Sequence, residues 1–410
     1  MNSMRIAMLY TPLTTAGGAE RQFFEELREL RARGHDVRAL TFELRDEALF
    51  SGGISRRDMM VLPKSGGWPG QVRAVRSALV RIAPDVLISH TSPELTWIAT
   101  RRLGVPYVQY HNSPPFYIGE HANPYMASRR YRRTFPSVRG GAAGYEAFAS
   151  APDLPMRARI VAELRAELKH HALRGAAAIV VPSQRTAREL RRLHGVDATV
   201  VRGCLPSSLI ERSLTQDAGA HGRAPRDGAP HAISAGDPVV LSVCRLEPVK
   251  RIDLLLRAFA FVRHDVPGAT LVIAGTGSDE PRLRAMTRDL ALDGCVRFVG
   301  YVPEEQLWDL YATADVLAAP AMADFVIAPY EAMAMGCRAV WTTEMETDPA
   351  IEASGQVFVA APEETAFARA IVDALRAPAG ARADLRGMTW TARGERVEAL
   401  IKRVTMKAAA

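Results

Sequence analysis

Two loops of this 410-residue chain carry residue types suited to binding an anion. Gly17 and Gly18 lie between an apolar run and a helical pattern, where backbone N–H groups favour an anion or a close ligand approach. Much further along the chain, Arg245 and Lys250 flank a second loop of the same kind. Two cations there can stabilise a diphosphate leaving group, because negative charge develops on it as a bond breaks. Taken singly, the first loop also fits a tight strand-to-helix turn, and the second also fits a pair of solvated surface cations.

One carboxylate and one imidazole are further candidates for binding or catalysis. Glu331 lies early in a predicted helix, where it can accept hydrogen bonds from ribose hydroxyls or simply stabilise the helix N-terminus. His111 follows an apolar, strand-like run and is the first residue of a long irregular stretch that extends to about Pro155. Long irregular stretches inside enzymes are usually functional loops or disordered insertions.

Regular alternation of strand-like and helix-like patterns must position these residues. Because parallel strands need a crossover helix to return the chain, the alternation predicts an α/β fold with parallel sheets. The predicted strands are Arg5–Tyr10, Val37–Phe42, Asp85–Ser89, Tyr107–Tyr110, Ala178–Val181, Thr199–Arg202, Val239–Val243, Thr270–Ala274, Val296–Phe298, Val316–Ala319 and Ala339–Thr342.

The chain is too long for one compact core and divides at a polar, Gly- and Ala-rich stretch. We predict an N-terminal Rossmann-like domain at 1–205 and a linker at 206–237. A second Rossmann-like domain follows at 238–378. The remaining segment, 379–410, is predicted to be helical.

Composition narrows the class of protein. Hydrophobic residues make up 48% and charged residues 24%, as expected for a globular enzyme. The net charge of +7 suits an anionic partner, although its sign cannot choose among a nucleotide, a membrane surface and nucleic acid. The four cysteines form no C-x-x-C pair, so neither a zinc site nor a disulfide framework is indicated. The N-terminus lacks the features of a signal peptide, so we expect a cytoplasmic protein.

The order of these motifs resembles glycosyltransferase family 4, the retaining group with the GT-B fold, in which two Rossmann-like domains face each other across a cleft. The resemblance covers nearly the whole chain. It rests on Gly17–Glu20, on His111, on Arg245 with Lys250, and on the helix start Glu331–Ala334. The segments Ala274–Gly277 and Phe298–Pro303 also fall where family members place donor-side loops.

The resemblance implies a role for each candidate residue. The first domain would bind the acceptor and the second the nucleotide-sugar donor, and the C-terminal segment 379–410 would pack back toward the first domain. Arg245 and Lys250 would hold the donor diphosphate, Glu331 the ribose, and Val302 with Pro303 the base, while His111 would lie near the transferred sugar. No metal or other cofactor is expected. The remaining donor-side positions that the resemblance assigns are Gly17, Gly18, Gly275, Phe325, Val326 and Ile327.

The sequence departs from the family pattern at one end of a glutamate pair. The family usually carries a pair of glutamates with seven residues between them, and Ala323 stands at the position of the first. That first glutamate normally touches the donor sugar. Asp324 is adjacent and is assigned as a catalytic candidate, although it is shorter by one methylene. Val326 stands where a glycine is common, and Thr342–Glu346 lacks the paired glycines often found after this strand.

We therefore expect a hexosyltransferase that moves a hexose-type sugar from a UDP- or GDP-linked donor to a hydroxyl of a glycan, lipid-linked glycan or related acceptor. Two alternatives stay open: a non-catalytic or weakly active nucleotide-sugar-binding subunit, motivated by Ala323, and a GT-B sugar-nucleotide epimerase or hydrolase. No nucleic-acid module is recognisable. The cluster Arg129, Arg130, Arg132 and Arg133 can contact an anionic membrane, or it can be an ordinary solvated face. A peripheral location at the inner face of the plasma membrane would follow from membrane contact.

Overall fold

The chain folds around two parallel β-sheets, as the alternating pattern predicts. The computed structural model describes residues 3–14, 18–46, 49, 54–111, 128–134, 155–215, 237–323, 325–346, 349–378 and 382–409. The first sheet contains β1 (Arg5–Leu9), β2 (Asp36–Thr41), β3 (Met59–Val61), β4 (Val86–Ser89), β5 (Tyr107–Tyr110), β6 (Ala178–Val181) and β7 (Thr199–Val200). The second contains β8 (Val239–Val243), β9 (Thr270–Ala274), β10 (Val296–Gly300), β11 (Val316–Ala319), β12 (Arg338–Thr342) and β13 (Val357–Ala360).

Helices connect the strands and cover the sheets. Those of the first half are α1 (Gly18–Ala32), α2 (Gly67–Ile82), α3 (Pro93–Thr100), α4 (Arg129–Thr134), α5 (Met156–Arg174), α6 (Gln184–His194) and α7 (Ser207–Thr215). Those of the second half are α8 (Ile252–Asp265), α9 (Glu280–Asp289), α10 (Glu304–Thr313), α11 (Ala328–Ala334), α12 (Pro349–Glu352), α13 (Glu364–Arg376) and α14 (Trp390–Ala409).

Both sheets have the strand order of a Rossmann fold. The first runs β3-β2-β1-β4-β5-β6-β7 and the second β10-β9-β8-β11-β12-β13, with every strand pair parallel. Strands such as β4 and β9 are buried along their whole length because helices cover both faces, which explains their nearly continuous apolar sequences. In such sheets, ligands bind beyond the carboxyl ends of the strands, at the point where the strand order reverses. Those points lie between β1 and β4 and between β8 and β11.

The two halves are joined by two chain segments that run side by side. Leu205 donates its backbone N–H to the Met388 carbonyl, and Leu205 also forms a parallel bridge with Thr389. Beyond the second segment, α14 returns to the first half, where Val397, Ile401 and Val404 join the core formed by α1 and the first sheet. Residues of α14 therefore belong to the core of the first half although they are the last in the chain.

The stretch predicted as a linker begins with ordered structure. Residues 207–215 form α7, whose Leu209 is fully buried in the core of the second half, and residues 216–236 lie outside the described part of the chain. The domain boundaries proposed above stay predictions. Two strands were not predicted: β3 and β13, which pair at the edges of the two sheets.

Candidate active site

The loop after β8 presents two cations with different surroundings. Arg245 is more than half exposed and pairs with Glu247 over 2.7 Å between Nη1 and Oε1. Lys250 ends a short 3-10 turn, Pro248–Lys250, and its ammonium has neither a hydrogen bond nor an ion pair within the described residues. Burial lowers the pKa of Lys250, and the charge of Arg245 lowers it further. An anion that binds this loop would therefore relieve the mutual repulsion of the two cations.

Glycines hold the neighbouring donor-side loops against this one. Gly275 has φ 126°, and a Cβ there would lie 1.9 Å from the Cys244 carbonyl oxygen. A Cβ at Gly277 would lie 2.2 Å from the Leu246 carbonyl oxygen. Backbone hydrogen bonds from Leu246 to Thr276 and from Gly275 to Gly300 then fix the three loops together. Gly275 was predicted to bind the donor, and its geometry gives it a packing role behind the cationic loop.

Glu331 is buried at the cleft and has a partner on each carboxylate oxygen. The Tyr311 hydroxyl donates to Oε2 over 2.9 Å, and Arg21 Nη1 donates to Oε1 over 3.3 Å. Arg21 also reaches Glu304 over 2.7 Å. Burial raises the pKa of Glu331, opposed by Arg21 and by the Tyr311 hydrogen bond. Because Arg21 lies on α1, the site contains a direct contact between the two halves.

The loop after β1 faces Arg245 across the cleft. Burial and the Glu20 carboxylate raise the pKa of Tyr10, and the charge of Arg245 acts in the opposite direction. Such an influence requires Arg245 to lie near Tyr10. Gly18 begins α1, and a Cβ added to it would meet no atom within 4 Å, so its surroundings are open. Gly17, its partner in the predicted anion-binding loop, lies outside the described residues.

His111 directly follows β5, as predicted, and its backbone N–H donates to the Val180 carbonyl. Its Nε2 atom is shielded from solvent and has no hydrogen-bond partner in the described ranges. Burial and the nearby Lys169 and His194 hold the pKa of His111 well below its usual range. The ring is therefore neutral near pH 7 and brings no positive charge to this position.

The segment before α11 is built largely of packing residues. Phe325 stacks on Tyr330 with ring centroids 5.2 Å apart, and a Cβ at Gly203 in the connecting segment would lie 2.6 Å from Phe325 Cε1. Val326 and Ile327 are half-buried and pack against the core of the second half. Ala323 is half-buried, and Asp324 lies outside the described residues. The side chains of Phe325, Val326 and Ile327 thus contribute apolar packing, which leaves backbone groups as their means of contacting a donor.

The residues predicted to bind the donor base and the membrane belong to two other segments of the chain. Val302 is half-buried against the core, beside an exposed Tyr301, before the start of α10. In the arginine cluster, Arg129 and Arg133 are exposed, whereas Arg130 makes a bidentate contact with Glu167 of α5. The side chain of Arg132 lies outside the described residues. These placements leave the proposed ligand contacts of Val302 and the arginines as predictions.

A second contact between the halves involves the loop after β12. Arg185, in the first turn of α6, donates from Nη1 to the Glu344 carbonyl over 2.7 Å and from its backbone to Glu346. Glu344 itself is buried and pairs with Arg251 over 2.6 Å. Ser183 caps the start of α6 by accepting from Thr186, which orients this turn toward the second half. Here the acidic Thr342–Glu346 segment, which lacks the paired glycines of the family, anchors the interface.

Sequence patterns gave no sign of these cross-cleft residues. Arg21 is adjacent to the Gly17–Glu20 motif, but nothing in the sequence links it to Glu331, which lies 310 positions away. Tyr311 sits in an ordinary helical pattern. Within the described residues, no group of three or more His, Cys, Asp or Glu side chains is placed to hold a metal ion. None of the helices in those ranges is both long and apolar enough to cross a membrane.

Two facing Rossmann-like domains with a cleft at their strand ends are the GT-B architecture of glycosyltransferases. Two family models match the chain in succession: "Glycosyltransferase Family 4" over residues 16–203 and "Glycosyl transferases group 1" over residues 225–387. The chain belongs to glycosyltransferase family 4, as the motif order indicated, and it is of the hexosyltransferase type.

Individual relatives agree with this assignment. The chain is 27% identical over 362 residues to D-inositol 3-phosphate glycosyltransferase 2 of Catenulispora acidiphila, covering 82% of this chain and 76% of the relative. A shorter match, 40% identical over 83 residues, joins 20% of the chain to 22% of a GDP-mannose-dependent phosphatidylinositol monomannoside mannosyltransferase of Mycolicibacterium smegmatis. Among solved structures, Anabaena Alr3699/HepE in complex with UDP superposes with a TM-score of 0.63 at 15% identity, covering 99% and 98% of the two chains. At that identity the likeness shows the fold alone.

Proposed function

We propose that the protein is a retaining hexosyltransferase that takes its sugar from a UDP- or GDP-linked donor. The carrying observation is that the second half presents an exposed Arg245, a Lys250 ammonium with no partner among the described residues, and a buried Glu331 carboxylate on segments that follow its strands. Cations suit the diphosphate and a carboxylate suits the ribose hydroxyls. The solved Anabaena structure contains UDP, and the mannosyltransferase relative is named as GDP-mannose-dependent, which supports both donor bases.

The proposed reaction proceeds on one face of the sugar. The bond between the anomeric carbon and the diphosphate oxygen breaks, and the acceptor oxygen forms its bond on the same side. The acceptor proton passes to the departing phosphate oxygen. Arg245 and Lys250 stabilise the charge that develops on that phosphate, so the proposal includes no metal. Neutral His111 exchanges a hydrogen bond with a hydroxyl of the transferred sugar, which orients the anomeric carbon.

We propose a hydroxyl of a glycan, a lipid-linked glycan or a related small acceptor as the second substrate. The named relatives act on inositol phosphate and on a phosphatidylinositol mannoside, so both free and lipid-linked acceptors have support. A surface on the first half favours a lipid-linked one. Met156, Ile160 and Leu164 follow one another at a spacing of four residues on α5, and all three side chains are more than half exposed.

Basic residues flank this apolar row. Arg157, Arg159 and Arg165 of α5 are exposed, as are Arg129 and Arg133 of α4. An apolar row bordered by cations fits the interface of an anionic bilayer, where the apolar side chains enter the headgroup region and the cations meet lipid phosphates. We therefore propose peripheral contact with the inner face of the plasma membrane through α4 and α5, in a cytoplasmic enzyme.

The donor experiment uses purified protein with a panel of UDP-, GDP-, ADP- and dTDP-sugars, with and without a membrane extract as acceptor source. Mass spectrometry follows nucleotide release and sugar transfer, and proton NMR of the product reports the anomeric configuration. Acceptor-dependent release with retained configuration supports the proposal. Release without acceptor would favour the epimerase or hydrolase alternative, and absence of binding and turnover would favour a non-catalytic subunit.

Restoring a glutamate at position 323 distinguishes a non-catalytic subunit from an enzyme whose donor site works without this residue. Ala323→Glu is expected to change activity little if the site suits its own donor without this residue. Activation of about 10²-fold or more would show that Ala323 damages the site, because a single transition-state contact has that order of magnitude.

Flotation with vesicles tests the membrane contact. Wild-type protein is expected to float with phosphatidylglycerol vesicles and not with pure phosphatidylcholine vesicles. The triple variant Met156→Ser, Ile160→Ser, Leu164→Ser should lose flotation. The matched control is Val80→Ser, Phe261→Ser, Met406→Ser, which removes three exposed apolar side chains from α2, α8 and α14 and should float as wild type does. Equal flotation of wild type and the triple variant would contradict the assignment of this surface.

A further inference from the structure

Arg21 reaches across the cleft to two carboxylates of the second half. Its Nη1 lies 3.3 Å from Glu331 Oε1, and its Nη2 lies 2.7 Å from Glu304 Oε1. The Arg21 side chain is only 19% exposed, and that of Glu331 is 6% exposed. A charge-assisted contact with so little solvent access is screened weakly, unlike a surface ion pair.

The position of Arg21 on α1 follows from the buried face of that helix. Phe23, Phe24, Leu27 and Leu30 of α1 pack into the core of the first half. Arg21 lies two residues before the first of these apolar residues, and its guanidinium contacts Glu331 and Glu304 of the second half. The contact with Glu331 therefore depends on how closely the two halves approach each other.

Glu331 needs a partner to keep its charge. Burial raises its pKa, and Glu304 raises it further, whereas Arg21 and the Tyr311 hydroxyl act in the opposite direction. Tyr311 is a fully buried neutral donor, so Arg21 is the cation among these three groups. A protonated carboxyl group accepts hydrogen bonds from ribose hydroxyls more weakly than a carboxylate does.

We infer that Arg21 is a positioning residue of the donor site, holding the Glu331 carboxylate in place from the opposite domain so that the ribose contact is complete only when the cleft is closed. The inference rests on the proposed donor function and deepens it. The local surplus of carboxylates over cations at this spot fits a neutral, hydroxyl-bearing ribose, while the diphosphate meets Arg245 and Lys250. Closure of the cleft is thereby coupled to recognition of the ribose.

Nucleotide binding separates this role from general support of the interface. Titration calorimetry would measure binding of UDP and GDP, and of the 2′,3′-dideoxy form of the better ligand, between pH 5 and 9. The variants are Arg21→Met, which removes the charge, and Arg21→Lys, which restores it. Arg185→Met is the matched control, because Arg185 also bridges the halves but contacts Glu344 and Glu346.

Because ribose binding requires the carboxylate, wild-type affinity should fall as the pH falls through the pKa of Glu331. In Arg21→Met this loss should begin at higher pH, because the cation that favours the Glu331 carboxylate is gone. Well below both pKa values, wild type should bind about tenfold more tightly than the variant for each unit by which the pKa has risen, and well above both the two proteins should bind alike. The preference for the normal over the dideoxy nucleotide should shrink over the same pH range. Arg21→Lys should restore most of both properties.

The control and the folding check give the outcomes that would overturn the inference. Arg185→Met can weaken binding but should keep the wild-type pH dependence and the wild-type ribose preference. An Arg21→Met protein that unfolds at the wild-type temperature and retains both properties contradicts the role of Arg21, as does an Arg185→Met protein that loses both. A wild-type protein that binds no nucleotide contradicts the donor function itself, and this inference with it.

Discussion

Removal of the Arg393 guanidinium should strongly destabilise the first half of the protein. Arg393 projects from α14 and is 1% exposed, facing a fully buried Glu26 on α1 at 3.1 Å. Its Nη1 also donates to the carbonyls of Val201 and Arg202 over 3.1 and 2.7 Å. The Arg393→Met variant would leave Glu26 as a buried charge that has lost its cation. Breaking a buried ion pair in this way costs about 3–5 kcal/mol.

The measurement is the free energy of unfolding in urea, together with the thermal midpoint by circular dichroism. A loss of that size corresponds to roughly 6–20 °C for a domain of this size. Arg396→Met, on the same helix but exposed, is the matched control and should change the free energy by less than about 0.5 kcal/mol. The double variant Glu26→Met, Arg393→Met should lose less than the sum of the single variants.

The pH dependence of the same pair has a defined sign. Burial raises the pKa of Glu26, but Arg393, His90 and Tyr110 outweigh burial and leave this pKa below its ordinary value of 4.5. A lowered folded-state pKa contributes stability above about pH 4.5, and that stability is lost as the pH falls through the folded-state value. Wild type and Arg393→Met should therefore converge in stability below that range. An Arg393→Met protein within about 1 kcal/mol of wild type at pH 7 would refute this reasoning.

Three further outcomes follow from the site. Lys250→Ala should lower kcat/KM for the donor about 10²–10³-fold in the transfer assay. The urea midpoint should stay unchanged, because the ammonium has no protein partner among the described residues. A fall in both quantities would contradict the assignment of Lys250 to the diphosphate. Gly275→Ala should destabilise the donor loops by about 1–3 kcal/mol, since its Cβ would meet the Cys244 carbonyl. It should also abolish nucleotide binding measured by titration calorimetry, and normal binding would refute this expectation. His111→Asn should lower kcat about 10²-fold. The pH–rate profile of the wild-type protein should show no protonation of His111 between pH 6 and 8, because burial, Lys169 and His194 lower its pKa.

The fold class was predictable because it depends on local patterns. Strands such as Tyr107–Tyr110 and Val239–Val243 were predicted at the bounds that the structure has, since apolar runs between helical periods identify buried parallel strands. The edge strand β3 is only three residues long, and β13 lies in a segment that the pattern left unassigned. The helix at 207–215 was missed because a polar composition indicated a linker. The elements that were not predicted are short, and their apolar side chains pack against distant parts of the chain.

The candidate site divides in the same way. The sequence by itself determined the α/β class, the family, and the loops that carry Arg245, Lys250, His111 and Glu331, because each follows a strand whose carboxyl end must lie at the cleft. Only the tertiary structure decided that Arg21 pairs with Glu331 and that Arg393 pairs with Glu26, and it gave Gly275 its packing role. Such contacts join residues separated by hundreds of positions, and their energies depend on burial and on distances of a few ångströms. Neither quantity exists until the two sheets and α14 have packed together.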